Sequence, residues 1–386
     1  MSSNNDLKFY WVSSILDIDP EDWDRCFKKQ RFARTRKYQE SVEVSAPEGV
    51  IFQYLMVFRA ELVIAIVGCF RYHLPLAVIA TGKAREIADY IDSFKPGLLS
   101  VNTFFAGQYT AVCDHLFGLD DLHDSEWGSI LTQCIKAIDQ RSLELGCSLT
   151  AIKEVPASEL EKFQTVLGSD WLFANSLPNT FLTLDPNKPY VSRMRSKYRN
   201  LYRKRTRDFD SQGYTWKVVD GAISTDTAKE IHRLYKLVMN RSDNQFERLP
   251  QNFFEEICRQ FESAFAILCY DDDRLIAASI NADDGDTVYG IYLGFEGKDH
   301  ETHIYFNLLY KLIDVAEQRG RRRIHFGQTS YGVKSAIGVS AHKMFLGLYF
   351  RNFFIRSLAR RFIDTLFPET NFPTRNVFSK NSTKGS

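Results

Sequence analysis

The stretch Arg323–Gly338, RIHFGQTSYGVKSAIG, decides how this chain is read. An apolar run ends at Phe326, and Gly327 breaks it. A polar loop follows, carrying Gln328, Thr329, Ser330, Tyr331 and Lys334, and Gly338 closes it. Polar groups gathered at the carboxyl end of a strand are well placed to face a crevice. A cation or backbone N–H there can stabilise the oxyanion of an acyl-transfer intermediate. On residue types alone, a solvated loop whose lysine faces water is the competing reading.

Working outward, the elements around this stretch repeat an earlier order. In the second half, a basic helix over 191–210 precedes a strand at 214–219 and helices at 227–241 and 251–261. Strands follow at 265–270, 275–281 and 287–294, then a helix at 302–319 and a strand at 323–326. In the first half, strands at 51–58 and 62–72 form a hairpin around Arg59–Glu61. A strand at 98–105, a helix at 127–145 and a strand at 147–152 follow. The shared order is hairpin, strand, long helix, strand. A short helix at 159–166 and a strand at 179–184 close the first half. The turn-rich DPNKP at 185–189 is the expected joint, giving domains over 1–186 and 187–368 and a flexible tail over 369–386.

Composition bounds the function. The chain has 386 residues, which at about 150 per domain favours two domains. Thirty Phe and eighteen Tyr among 44% hydrophobic residues exclude wholesale disorder. A net charge of +1 argues against coating nucleic acid non-specifically. Seven scattered cysteines, an odd number with no CxxC, argue against a disulfide framework or a structural zinc site. Free, mostly buried thiols in a reducing cytoplasm are expected. The amino terminus lacks a signal-peptide pattern, and the longest apolar run, near 62–70, is too short to span a bilayer. A cytoplasmic protein, at most peripheral at a membrane, is the expectation. His73, Cys113, His115 and His123 have no metal-ligand spacing.

The duplicated order resembles tandem GNAT-type acyltransferase domains. Tyr331-Gly-Val-Lys334-Ser-Ala-Ile-Gly338 resembles the Y-x-x-K-x-x-x-G signature of the FemABX peptidyltransferases. Phe326-Gly327-Gln328-Thr329 followed by Lys334 resembles the F-G-x-T-x-x-x-x-K pattern of the BioF2-like acetyltransferase domains. The likeness is good over roughly 190–345 and rests on element order over 10–185. It implies an α/β protein of two GNAT-like domains, each a mixed central sheet flanked by helices, packed across a shared cleft. It implies transfer of an activated acyl group to a primary amine without a covalent enzyme intermediate. The donor is acyl-CoA, with acetyl-CoA as the simplest case, or aminoacyl-tRNA as in FemABX members. A non-catalytic GNAT-like scaffold is the further alternative. By the resemblance, Lys334 and Val333 lie at the oxyanion site and Tyr331 shapes the pocket. The first domain is expected to be a structural partner that walls the acceptor side.

One departure concerns the phosphates of the donor. A standard GNAT domain holds the pyrophosphate on a Q/R-x-x-G-x-G/A loop at a helix N-terminus. The corresponding segment here, 294–303, keeps two glycines and a Thr but not the signature. Its acids Glu296, Asp299 and Glu301 disfavour a pyrophosphate. Glu296 and His300 or His303 are candidate bases for the acceptor amine. Gln328, Thr329, Ser330, Tyr292 and Tyr305 are candidate pocket residues, with core packing the competing reading for the tyrosines. Tyr292 and Gly294 are expected to share a face with Gly290.

Two surfaces suggest partners. Arg193–Arg207 carries eight Lys or Arg and no acid, so Arg199, Arg203 and Lys204 are candidate phosphate contacts, to a carrier cofactor or tRNA. The stretch 344–367 is aromatic and basic together. It reads as an amphipathic surface for an anionic membrane, or as a face docked on the second domain or a dimer partner.

Overall fold

A computed structural model of the chain describes residues 7–28, 31–46, 49–75, 90, 100–110, 112, 114–241, 248–297 and 302–379. The chain divides into two units: Met1–Leu177 with Lys343–Thr370, and Pro178–His342 with Asn371–Ser386.

The first unit begins with β1 (Leu7–Val12), α1 (Pro20–Cys26) and α2 (Arg36–Val44). The hairpin β2 (Ile51–Arg59) and β3 (Leu62–Pro75) follows, turning at Ala60 with φ 54°. Then come β4 (Ser100–Ala106), the short β5 (Phe117–Gly118), α3 (Asp124–Glu144), β6 (Leu149–Pro156), α4 (Leu160–Leu167) and β7 (Leu172–Asn175). Leu131, Cys134 and Ile138 of α3 pack on Leu55, Val57, Phe104 and Ile152 of the sheet. Trp23 of α1 stacks on Phe27 and meets Tyr54 of β2.

The second unit contains β8 (Asn179–Thr183), α5 (Tyr190–Arg193), α6 (Ser196–Asp210), β9 (Thr215–Asp220), α7 (Thr225–Met239) and α8 (Gln251–Gln260). It continues through β10 (Ala264–Asp271), β11 (Arg274–Asp283), β12 (Thr287–Phe295), α9 (Ile304–Gln318), β13 (Arg323–Gly327), α10 (Tyr331–Ala336) and β14 (Ser340–His342). The chain then returns to the first unit as β15 (Met344–Phe350) and α11 (Phe353–Leu366).

Both sheets are mixed. The first runs β1-β2-β3-β4-β6-β15-β7, the second β14-β8-β13-β12-β11-β10-β9. In each, one parallel pair follows the hairpin, β4 with β6 and β12 with β13, and a long helix makes the crossover. That is the duplicated order read from the sequence, and two mixed sheets flanked by helices are what it implied.

Several boundaries differ from the expected ones. The strand at 179 was assigned to the first half, yet it pairs with β13 and β14, so the division falls at 177/178. The segment 344–367 is not one amphipathic stretch of a 187–368 domain. Met344–Phe350 is a strand between β6 and β7, because its backbone pairs antiparallel with both. Only 353–366 is helical, and there Phe353, Phe354, Leu358, Phe362 and Leu366 stay exposed. The basic helix breaks at Met194, which bridges to Phe378. Residues 371–379, expected to fray, are anchored there: Val377 is buried and Phe378 covers Gly338. Residues 380–386 lie outside the described residues.

The pairing of β11 with β12 contains an irregularity: Ile280 faces Tyr292, whereas Asn281 faces Gly290. The extra residue, Ile291, turns the strand. Gly290 therefore faces Leu312 of α9, while Gly294 faces the backbone of α7. The expected common face of Gly290 with Tyr292 and Gly294 is lost for this reason. At Gly294 a Cβ would lie 2.3 Å from Leu234 C and Tyr235 N. Backbone cannot yield as a side chain does. Gly294→Ala is expected to cost roughly 3 kcal/mol, the upper part of the overpacking range. Gly332→Ala, in open space at ordinary φ, should be neutral or stabilising. Urea midpoints of the two variants check this.

Candidate active site

The site is set by where β12 and β13 part. Their parallel register holds for three pairs, Thr287–Arg323, Val288–Ile324 and Tyr289–His325. β13 is paired with β8 along its whole length on its other edge, and beyond Tyr289 β12 runs on to Phe295 bonded to β11. No described strand pairs with the other edge of β12 there. The result is an opening at the carboxyl ends of two parallel strands. A side chain at Gly327 would begin 3.9 Å from Gly290 O, an ordinary contact, so what favours glycine there is its φ of 66°.

The lip of the opening is Gly327–Lys334. Gly327, Thr329 and Ser330 all take positive φ, of 66°, 67° and 53°. For Thr and Ser this region is disfavoured, and strained backbone of this kind collects at functional sites. Thr329 and Ser330 are exposed. Tyr331, Val333 and Lys334 stand on the short helix α10, not in an extended polar loop. Tyr331 Oη donates to Pro178 O at 3.1 Å, tying α10 to the start of β8. Thr180 Oγ1 donates to Gly327 O at 2.5 Å, across 147 residues of sequence.

Lys334 does not face water. It is 3% exposed, and Nζ donates to Gln328 O at 2.6 Å. Burial pushes its pKa down from 10.5 to about 7. The amine therefore stands near equal populations of its two protonation states at neutral pH, and it holds the loop that carries Gln328, Thr329 and Ser330.

The other candidates are dispersed. Glu296 is bound by Arg233 Nη1 at 2.6 Å and Arg274 Nη1 at 3.3 Å, so its carboxylate is already neutralised. That also removes part of its expected conflict with a phosphate; Asp299, His300 and Glu301 lie outside the described residues. His303 precedes α9 in a left-handed conformation, with Nε2 4.0 Å from Asp208 Oδ2. Tyr305 stacks on Phe295 within the core, and Tyr292 sits among Tyr235, Phe253 and Phe254. Those two are packing residues in this structure. Arg199 turns back to Met194 O, whereas Arg203 and Lys204 are exposed.

Sequence reasoning missed Asn179. It is 1% exposed, and neither Oδ1 nor Nδ2 has a hydrogen-bond partner among the described residues. It lies on β8 one residue before the Thr180–Gly327 pair, hence beside the lip. Its one sequence signal was a polar residue opening the strand NTFLT.

In the first unit the equivalent throat is filled by the chain itself. Lys153 Nζ donates to Tyr109 O at 2.8 Å, and His115 N–H donates to Glu154 O at 2.9 Å. Tyr109 is buried against Phe70. Among the described residues there is no cluster of His, Cys, Asp and Glu able to hold a metal, and no helix long and apolar enough to cross a membrane.

Residues 196–336 match the family model of an acetyltransferase (GNAT) domain. This match spans α6 to α10 and includes the opening and its lip. The second unit therefore carries a GNAT-type acyltransferase domain. Over nearly the whole chain the fold is similar to that of FemX, at TM-score 0.54 and 11% identity, covering 91% of this chain and 100% of that one. It is also similar to the C-terminal (DUF2156) domain of a putative lysylphosphatidylglycerol synthetase from Agrobacterium fabrum. There the TM-score is 0.51 at 11% identity, covering 90% of this chain and 96% of that one. No curated protein matches the chain in sequence.

Lys334 generates a prediction about stability. Its folded pKa lies below its unfolded one. Above pH 10.5 both states are neutral and burial carries no ionisation cost. As pH falls toward 7 the unfolded chain takes up a proton that the fold resists, so stability is lost, and below about 7 the loss levels off. Lys334→Met should thus be more stable than the parent, by on the order of a few kcal/mol at pH 7. The gain should shrink toward zero near pH 10. A pH-independent difference in urea midpoint would sink this account.

Proposed function

We propose that the second unit transfers an activated acyl group from acyl-CoA to a primary amine by direct attack. The observation that carries this is the position of the GNAT-matching segment: it builds the opening between β12 and β13 with Lys334 buried at its lip. The free edge of β12 can take an extended, amide-bearing chain by strand-like hydrogen bonding. Acyl transfer through a tetrahedral intermediate places negative charge on the former carbonyl oxygen. The Lys334 ammonium, with one proton committed to Gln328 O, has two left for that oxygen, with Val333 beside it on α10. His303, ahead of α9 and 4.0 Å from Asp208 Oδ2, is the candidate acceptor for the proton of the attacking amine.

A second reading has aminoacyl-tRNA as donor. It is favoured by the incomplete phosphate loop and by the exposed Arg203 and Lys204 on α6. RNase sensitivity of the reaction separates the two. A third, a non-catalytic scaffold, is supported by absence of turnover with either donor.

Calorimetric titration with acetyl-CoA and CoA tests the donor: micromolar binding supports the CoA reading, and no detectable heat moves it to a tRNA-borne donor. For Lys334→Ala, turnover should fall about 100- to 1,000-fold with the fold intact. The wild-type rate should also lose its Lys334-dependent part as pH rises through about 7, where the ammonium is lost. A folded variant with full activity removes Lys334 from the mechanism.

A further inference from the structure

The second unit also holds a cavity of about 490 Å³. Its walls come from two distant segments: Arg195, Lys197 and Tyr198 at the start of α6, and Thr374, Arg375 and Asn376 of the C-terminal strap. The strap is fixed in place. Arg195 N–H donates to Val377 O at 2.9 Å, and Ser379 N–H donates to Arg193 O at 3.1 Å. The Phe378 ring lies 4.6 Å from the Arg193 guanidinium carbon and fills the space beside Gly338. Inward packing of Val377 and Phe378 leaves 374–376 to face the cavity.

The lining carries three cations and no acid. Among the described residues none of Arg195, Lys197 and Arg375 is paired with a carboxylate, whereas Arg207, Arg233, Arg274 and Arg319 of the same unit all are. Like charges converging on one concavity raise its potential and favour a counter-anion. Thr374 and Asn376 add hydrogen-bond donors. Guanidinium groups match the geometry of phosphate oxygens.

We propose that this cavity binds the phosphate monoester of a nucleotide-sized ligand. Three cations suit a dianion. The volume exceeds what a phosphate ion needs and falls in the range of roughly 300–1,000 Å³ found for small-molecule sites. Tyr198 offers an aromatic wall for the rest of the molecule. The cavity's lining includes none of the lip residues Gly327–Lys334, although Phe372 of the strap meets Tyr331 of the lip with ring centroids 5.7 Å apart. His303, before α9, pairs with Asp208 at the other end of α6, about 20 Å away along the helix at 1.5 Å per residue. The inference does not depend on the acyl-transfer reading.

The test is calorimetric titration of the full-length protein with adenosine 5′-monophosphate and with adenosine, at 50 and 200 mM KCl. The nucleotide should bind and adenosine should not, with affinity falling as salt rises. Arg375→Ala and Arg195→Ala should each weaken binding about tenfold, and Arg375→Glu should abolish it. Thermal midpoints should hardly move, since these side chains are exposed. Equal binding of adenosine, no binding at 50 mM KCl, or full affinity in both Arg375 variants overturns the proposal. No acyl donor is present in the titration, so its failure leaves the acyl-transfer reading standing.

Discussion

A parallel ladder of three residue pairs between β12 and β13 governs the second unit. Were the ladder longer, the opening would close into continuous sheet. Were it absent, β13 would be held by β8 alone, and the sheet would divide between β13 and β12. Its length is limited from both sides. The irregularity at Ile280/Asn281 turns β12, and a second one, between His325 and Gly327 in the ladder of β13 with β8, turns the end of β13. Two local distortions thus hold two strands apart over their last residues, and the lip and α9 are arranged around the gap. Gly294 belongs to the same device. With Ile291 inserted, β12 presents its bare backbone to α7, and the helix packs directly on it.

The chain path adds a constraint of another kind. β15 and α11 come after the second unit in sequence yet complete the first unit's sheet, between β6 and β7. The strap 371–379 then returns to the second unit and seals Gly338. Each unit's final pieces are therefore synthesised after the other unit's core. The first unit is incomplete until β15 and α11 are made and the second until the strap is made, and a cut at the expected joint near 186 would leave the first sheet without β15.

Much of this was legible. Hairpins and long helices follow from apolar periodicity and glycine stops, and Ile51–Arg59 with Leu62–Pro75 is a clear case. What was illegible is what long-range pairing decides. Met344–Phe350 has strand and helix character alike, and only its neighbours β6 and β7 choose. The face of Gly290 depended on one inserted residue. At the site, the motif drew attention to 326–338 but not to the burial of Lys334. Whether a lysine bends onto a backbone carbonyl or reaches water depends on packing that no local pattern encodes. Asn179 was hidden because its neighbour in space, Gly327, is far away in sequence.

The two units show what the same scaffold does with and without an opening. In the first, Lys153 spends its ammonium on Tyr109 O, and the loop after β4 is drawn into the throat. In the second, Lys334 makes the same kind of bond to Gln328 O, but its loop stays at the rim, with Thr329 and Ser330 exposed. A buried lysine on a backbone carbonyl is thus compatible with both a filled and an open unit. What separates them is where the loop lies: inside, it satisfies the strand ends itself; outside, it leaves them for another molecule. The strain at Thr329 and Ser330 fits this view, because a loop held at the rim gives up the relaxed backbone it would have if it folded inward. Lys334 then has a structural task that precedes any chemical one. It anchors the rim, at the cost of an amine kept from water, and so keeps the throat open.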